Sequence, residues 1–190
     1  MMSPTLQMDT GDVQKFIYHR VWRHPKFKAV IAVSVDKYPS EFSATVWLGQ
    51  EPDTEMRQYA YELEAELKNL GVPCSIILKT DRELAFGGTY ELRTQKGEFT
   101  YRHYRIDPIK DEDFVYVFAL YKGAQTYRFR MSLTRTLASM LRQRGRFDEN
   151  KILEVYLDKI RRRIEEHDLE LDKVEEVMFN SQDLGLFINS

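Results

Sequence analysis

The run Phe114–Tyr121 is apolar at all eight of its positions, and no other segment constrains the fold as strongly. It is far short of the roughly 20 residues that a spanning helix needs. Side chains alternate between the two faces of a strand, so a run without alternation predicts a central strand covered on both sides. That architecture needs a sizeable core. A chain of 190 residues can supply one, because at this size about 70% of the unfolded chain's surface is buried without help from a metal or disulfides. With 43% apolar and 31% charged residues, the composition excludes both a disordered tail and a membrane protein.

The segments before this run alternate between helical and strand periods. Val13, Phe16, Ile17 and Val21 lie on one helical face that stops before Pro25, after a polar start in which residues 1–11 are expected to fray. Ala29–Val35 and Phe42–Leu48 are rich in strand formers and flank the turn cluster Lys37-Tyr38-Pro39-Ser40, which predicts a hairpin. Met56, Ala60, Leu63, Leu67 and Leu70 form the cleanest amphipathic stripe, started by Pro52 and Asp53 and ended by Gly71. Cys74–Leu78 reads as a third strand. The fold class is therefore α+β, and residues 1–83 form an α-β-β-α-β unit of two helices on a three-stranded sheet.

Residues 84–190 read as an antiparallel β-meander followed by two or three C-terminal helices, as a second unit or as a continuation of the first. Thr89–Thr94 and Glu98–Ile106 flank Gln95-Lys96-Gly97, and Phe114–Tyr121 and Gln125–Met131 flank Lys122-Gly123-Ala124. Tyr127, Phe129 and Met131 alternate with Thr126, Arg128 and Arg130, which predicts one core face and one wet or occupied face. Leu133, Leu137, Met140 and Leu141 mark one helix, and Ile152, Tyr156, Ile160 and Ile164 a second after an Asp148 cap. A weaker helical stripe runs through Leu171, Val174, Val177 and Met178. The apolar end Leu184–Ile188 is expected to dock on its own domain or on a neighbouring chain.

The chain start has neither a basic n-region nor an apolar h-region, and the single cysteine, Cys74, cannot form an internal disulfide. The expected location is the cytoplasm, with no membrane partner. His19, His24, His103 and His167 lack the spacing of a metal pair, and no nucleophile elbow, P-loop or dinucleotide fingerprint is present. No metal, cofactor or catalytic residue is therefore assigned. Cys74 reads as a small buried hydrophobe, and Asp111-Glu112-Asp113 as a solvated hairpin tip.

Charge is the strongest anomaly. Leu120–Arg163 carries a net charge of +8 and residues 164–190 a net charge of -7, although the whole chain is only -2. Arg128 and Arg130 share a strand face that runs into Ser132, Thr134 and Arg135 at a helix start, where N–H groups and hydroxyls could hold phosphate. Arg142 and Arg144 add charge at the far end of that helix, with Arg146 beyond, and Arg161-Arg162-Arg163 could extend the patch. Tyr101, Tyr104, Tyr116, Tyr121 and His103 could supply a stacking surface. Against this, the acidic segment could lie across the arginines and neutralise them. Two functions follow, beside an enzyme of unrecognised type whose dispersed active site would leave no local spacing to find. One is a non-catalytic cytoplasmic interaction or adaptor protein that contacts a protein partner or self-associates. The other is an RNA-, DNA- or phospho-ligand-binding protein that uses the Arg-rich segment 128–146.

Overall fold

The computed structural model of the chain describes residues 7–83, 88–109, 111–171, 173–179 and 181–188. The chain is α+β and divides into two compact units, Met1–Leu84 and Ala85–Ser190. The boundary segment 84–87 and the first six residues lie outside the described part.

In the first unit, α1 (Thr10–Arg23) starts at Asp9, whose carboxylate accepts the Asp12 N–H at 2.8 Å while Asp12 accepts the Asp9 N–H at 3.2 Å. This capping box satisfies two otherwise orphaned donors, and so the helix begins inside the stretch expected to fray. β1 (Val30–Lys37) and β2 (Phe42–Leu48) pair antiparallel, and β3 (Cys74–Thr80) joins β2 in parallel, giving the order β1-β2-β3. The crossover is α2 (Thr54–Asn69), capped by Asp53 and closed at Gly71, whose φ of 80° suits a residue without Cβ.

β2 alternates strictly. Phe42, Ala44, Val46 and Leu48 are buried, and Ser43, Thr45 and Trp47 are half-buried. The buried set faces the stripes Val13, Ile17 and Val21 of α1 and Met56, Ala60, Leu63 and Leu67 of α2. The two helices lie side by side, tied by Arg20 to Glu66 at 2.7 Å and by the Tyr59 hydroxyl to the Arg20 carbonyl at 3.3 Å.

In the second unit, β4 (Tyr90–Thr94), β5 (Gly97–Arg105), β6 (Glu112–Lys122) and β7 (Gln125–Thr134) form the antiparallel meander. α3 (Arg135–Gln143) and α4 (Glu149–Glu166) follow, and then β8 (Val174–Met178) and the short α5 (Leu184–Ile188). β6 is the middle strand of the five-stranded order β4-β5-β6-β7-β8. Both of its faces are closed, with Phe114, Phe118 and Leu120 on one and Val115, Val117 and Ala119 on the other. The first face packs with Leu92, Phe99, Phe129 and Met131 against Leu141, Ile152, Tyr156 and Ile160 of the helices.

Two expectations are corrected. The stripe Leu171, Val174, Val177 and Met178 is no helix, since Val174–Met178 is β8, which adds to β7 in parallel and makes the sheet mixed. A three-residue spacing fits a helical face, but in a strand it sends Val174 and Val177 to opposite faces; Val174 is buried and Val177 packs on the helix-side core. Nor is Asp111-Glu112-Asp113 a solvated tip. Glu112 and Asp113 belong to β6 and pair with Arg130 and Arg142. Among the described residues, no helix is long and apolar enough to cross a membrane.

Candidate functional site

The arginines were expected to converge where β7 enters α3. There the guanidinium of Arg130, only 3% exposed, grips Glu112 with both terminal nitrogens at 2.7 Å and reaches Glu176 at 3.3 Å. Glu112 lies in β6, on the same sheet face, and Glu176 stands opposite Arg130 in the β7–β8 register. Glu112 also accepts the Ile109 N–H at 3.1 Å and the Ser132 hydroxyl. Burial by itself would raise the Glu112 pKa, but the hydrogen bonds and charge of Arg130, with those of Ile109 and Ser132, outweigh burial and hold it below the usual value. The anion beside Arg130 and Ser132 is thus the protein's own carboxylate. The face of β7 opposite the helices is occupied at Arg130 and Ser132, not wet.

The remaining residues of the expected site separate. The Thr134 hydroxyl caps α3 by accepting the Leu137 N–H at 3.3 Å. Arg128 is half-buried and faces Val174 in the strand register, and Arg135 is exposed on the first turn of α3. Arg142 pairs with Asp113 at 2.6 Å and lies over the Phe147 ring at 4.2 Å. Arg144 and Arg146 are exposed just beyond. At 1.5 Å of rise per residue the two ends of α3 are roughly 13 Å apart, so Arg135 and Arg144 stand at opposite ends of the helix and do not converge on one point.

The acidic segment does fold back onto the basic one. Glu176 reaches Arg130, Glu175 pairs with Arg163 at 2.8 Å, and Asp183 pairs with Lys159 at 2.8 Å. Arg161 and Arg162 pair with Asp158 of their own helix at 3.1 and 2.9 Å.

One face of the sheet gathers three of the five expected aromatics. Strand register puts Tyr90, Tyr101, His103 and Tyr116 on the helix-side face of the sheet, with ring centroids 5.4 to 5.7 Å apart from Tyr90 to its two neighbours and from His103 to Tyr116. Tyr104 and Tyr121 point to the opposite face. Burial lowers the His103 pKa, and its Nδ1 has no hydrogen-bond partner among the described residues. The Tyr116 hydroxyl donates to Glu149 at 2.6 Å; burial, and then this carboxylate, push its pKa up to about 12. Tyr90 was not singled out from the sequence, because its stacking depends on the β4–β5 register.

A different feature marks the first unit. β3 is a sheet edge, and its Ile76 N–H donates to the Glu64 carboxylate of α2 at 2.6 Å. Beside this edge, Glu41, Tyr61, Glu64, Lys68 and Cys74 line a cleft of about 390 Å³. Burial, followed by Glu64 and Glu41, pushes the Cys74 thiol up to about 11, so it stays protonated at neutral pH. No family model matches the chain, and a search of the curated proteins finds no match either.

Proposed function

We propose that this is a non-catalytic, cytoplasmic interaction protein whose contact surface is the outer edge of β3, where an extended segment of a partner protein adds as a further strand. The observation that carries this is the Ile76 N–H, an edge donor held by a single side-chain carboxylate. Unpaired edge groups are templates for another chain. Other edges are shielded in different ways. Gln14 donates to the Val33 carbonyl of β1 at 2.8 Å, and Arg161 to the Arg93 carbonyl of β4 at 3.2 Å. β8 is short and carries two glutamates. Strand addition would release Glu64, which with Glu41 favours a partner segment bearing a lysine or arginine. Ile77 and Tyr61, 47% and 63% exposed, offer apolar surface to its alternate side chains.

Panning a displayed peptide library against the full chain is the test. Selected peptides are expected to alternate apolar residues and to carry a basic one. By period two, the Leu78 N–H faces outward like that of Ile76, so Leu78→Pro removes an edge donor without touching the β2–β3 ladder. That variant should melt like wild type and lose the peptides. Binders indifferent to Leu78→Pro, or no binders, overturn the proposal. A dimer that Leu78→Pro dissociates replaces the partner with a second copy of the chain.

A second reading, nucleic-acid binding, is favoured by the aromatic row. It continues from Tyr116 to Phe114 at 5.0 Å and on to Phe147 at 6.3 Å, ending under Arg142 beside Arg144 and Arg146. Phe114 and Tyr101 are buried, so bases could stack only on the exposed Tyr90 and the half-buried His103, Tyr116 and Phe147, while phosphates meet the arginines. Labelled single-stranded RNA and DNA should then bind with an affinity that falls with salt, the log–log slope shrinking by about 0.7 for each of Arg142, Arg144 and Arg146 changed to Ala. Absence of binding at low salt removes this reading.

A further inference from the structure

At one end of the five-stranded sheet the β4–β5 turn, the β6–β7 turn and the exit of α4 enclose a cleft of about 590 Å³. That volume is within the roughly 300–1,000 Å³ typical of small-molecule sites. Two lysines converge on it from separate turns. Lys122 Nζ donates to the Lys96 carbonyl at 2.5 Å, and Lys96 Nζ donates to the His167 carbonyl at 3.0 Å. Each ammonium has three donors and commits one here, so each retains donors for a ligand.

The acceptors are the groups already occupied. Both carbonyls receive lysines, and the side-chain oxygen of Gln125 accepts the Tyr127 hydroxyl at 2.8 Å, which leaves the amide nitrogen of Gln125 as a further donor at the rim. The acid that lines the cleft, Asp168, is 3.7 Å from Lys96 and fully exposed, where water and salt screen it, and Glu165 beside the cleft is engaged with the Gln95 N–H at 3.3 Å. A rim of donors with two cations calls for an anion. The floor is apolar, built of Phe99, Ile164 and Leu169, with Lys122 lying 5.4 Å from the Phe99 ring centroid.

Gly97 belongs to the same arrangement. Its φ of +115° disfavours any side chain, and a Cβ there would stand 3.1 Å from Lys122 Nζ, where it would push the amine from its position.

We propose that this cleft binds a small organic anion, a carboxylate or phosphate monoester on an apolar body, held by Lys96, Lys122 and the Gln125 amide over a Phe99–Leu169 floor. The site is separate from the β3 edge, and its success or failure leaves the strand-addition proposal untouched.

The test is titration of the full chain, followed by amide NMR shifts and calorimetry, with octanoate, phenyl phosphate, inorganic phosphate and octanol. Octanoate or phenyl phosphate should give saturable shifts confined to residues 95–99, 122–127 and 164–169, and the tighter of the two identifies the headgroup. Inorganic phosphate lacks the body and octanol the charge, so each should bind at least about tenfold more weakly, equivalent to about 1.4 kcal/mol. Lys96→Met and Lys122→Met should each weaken the preferred ligand about tenfold while leaving the melting temperature unchanged. Gly97→Ala keeps both charges and should also weaken it. The assignment is overturned if neither organic anion binds, if inorganic phosphate matches them, if the shifts fall elsewhere, or if both lysine variants bind like wild type.

Discussion

Replacing Arg130 with Ala lowers the unfolding free energy by about 3 to 5 kcal/mol in chemical denaturation, the usual result of stranding one member of a buried ion pair. The loss arises chiefly from the Glu112 carboxylate, which keeps its burial and loses both of its 2.7 Å donors. Glu112→Ala is expected to cost a similar amount by stranding the guanidinium. A double replacement, Glu112→Leu with Arg130→Met, leaves neither charge and recovers most of the loss, because an apolar pair of like volume often matches a buried ion pair in stability. A double variant as unstable as the singles added together would show that the two groups do not act as a pair.

The same pair sets a pH dependence. Glu112 has a folded-state pKa below its ordinary value of 4.5, so it binds fewer protons folded than unfolded. The stability it contributes is complete above 4.5 and is lost as pH falls through the lower, folded value. Glu112→Gln should flatten the acid limb of the stability curve in that window. An acid limb that is unchanged in the variant would mean that other carboxylates carry it.

The order of elements was legible because its signals are local. Asp9, Asp53 and Asp148 cap helices within three residues of themselves, Gly71 closes α2, and the stripe of α2 needs only its own spacing. What failed was what depends on register and cover. Alternation puts Arg128 and Arg130 on one face but is silent about what lies on that face. The partners of Arg130 are 18 and 46 residues away, on neighbouring strands. β8 was misread for the same reason, since Val174 and Val177 suit a helix until a neighbouring strand is there to receive them. Neutralisation by the acidic segment was foreseeable as a possibility because it follows from opposite net charges in adjacent segments. Its particular pairs were not, and neither was the role of Glu64, an ordinary surface acid of α2 until β3 is brought alongside it.

The second large effect falls at the chain's end. Phe187 is buried and meets Phe179 edge to face at 5.4 Å, and Phe179 in turn stacks on Tyr156 at 3.9 Å. The apolar end therefore docks on its own unit, the first of the two outcomes expected for it. Phe187→Ala should cost about 3 kcal/mol, at the low end for a buried phenylalanine, because the unfastened segment recovers conformational entropy. Deleting residues 182–190 removes Phe187 together with Asp183, the partner of Lys159, and should cost at least as much. Light scattering on the same samples separates this from a role in assembly. If the segment served only to join two chains, its deletion would lower the mass and spare the monomer's stability. The expected result is the reverse, with stability falling and mass changing only by the deleted residues, because the ring that anchors the segment is packed on Phe179 of the same chain.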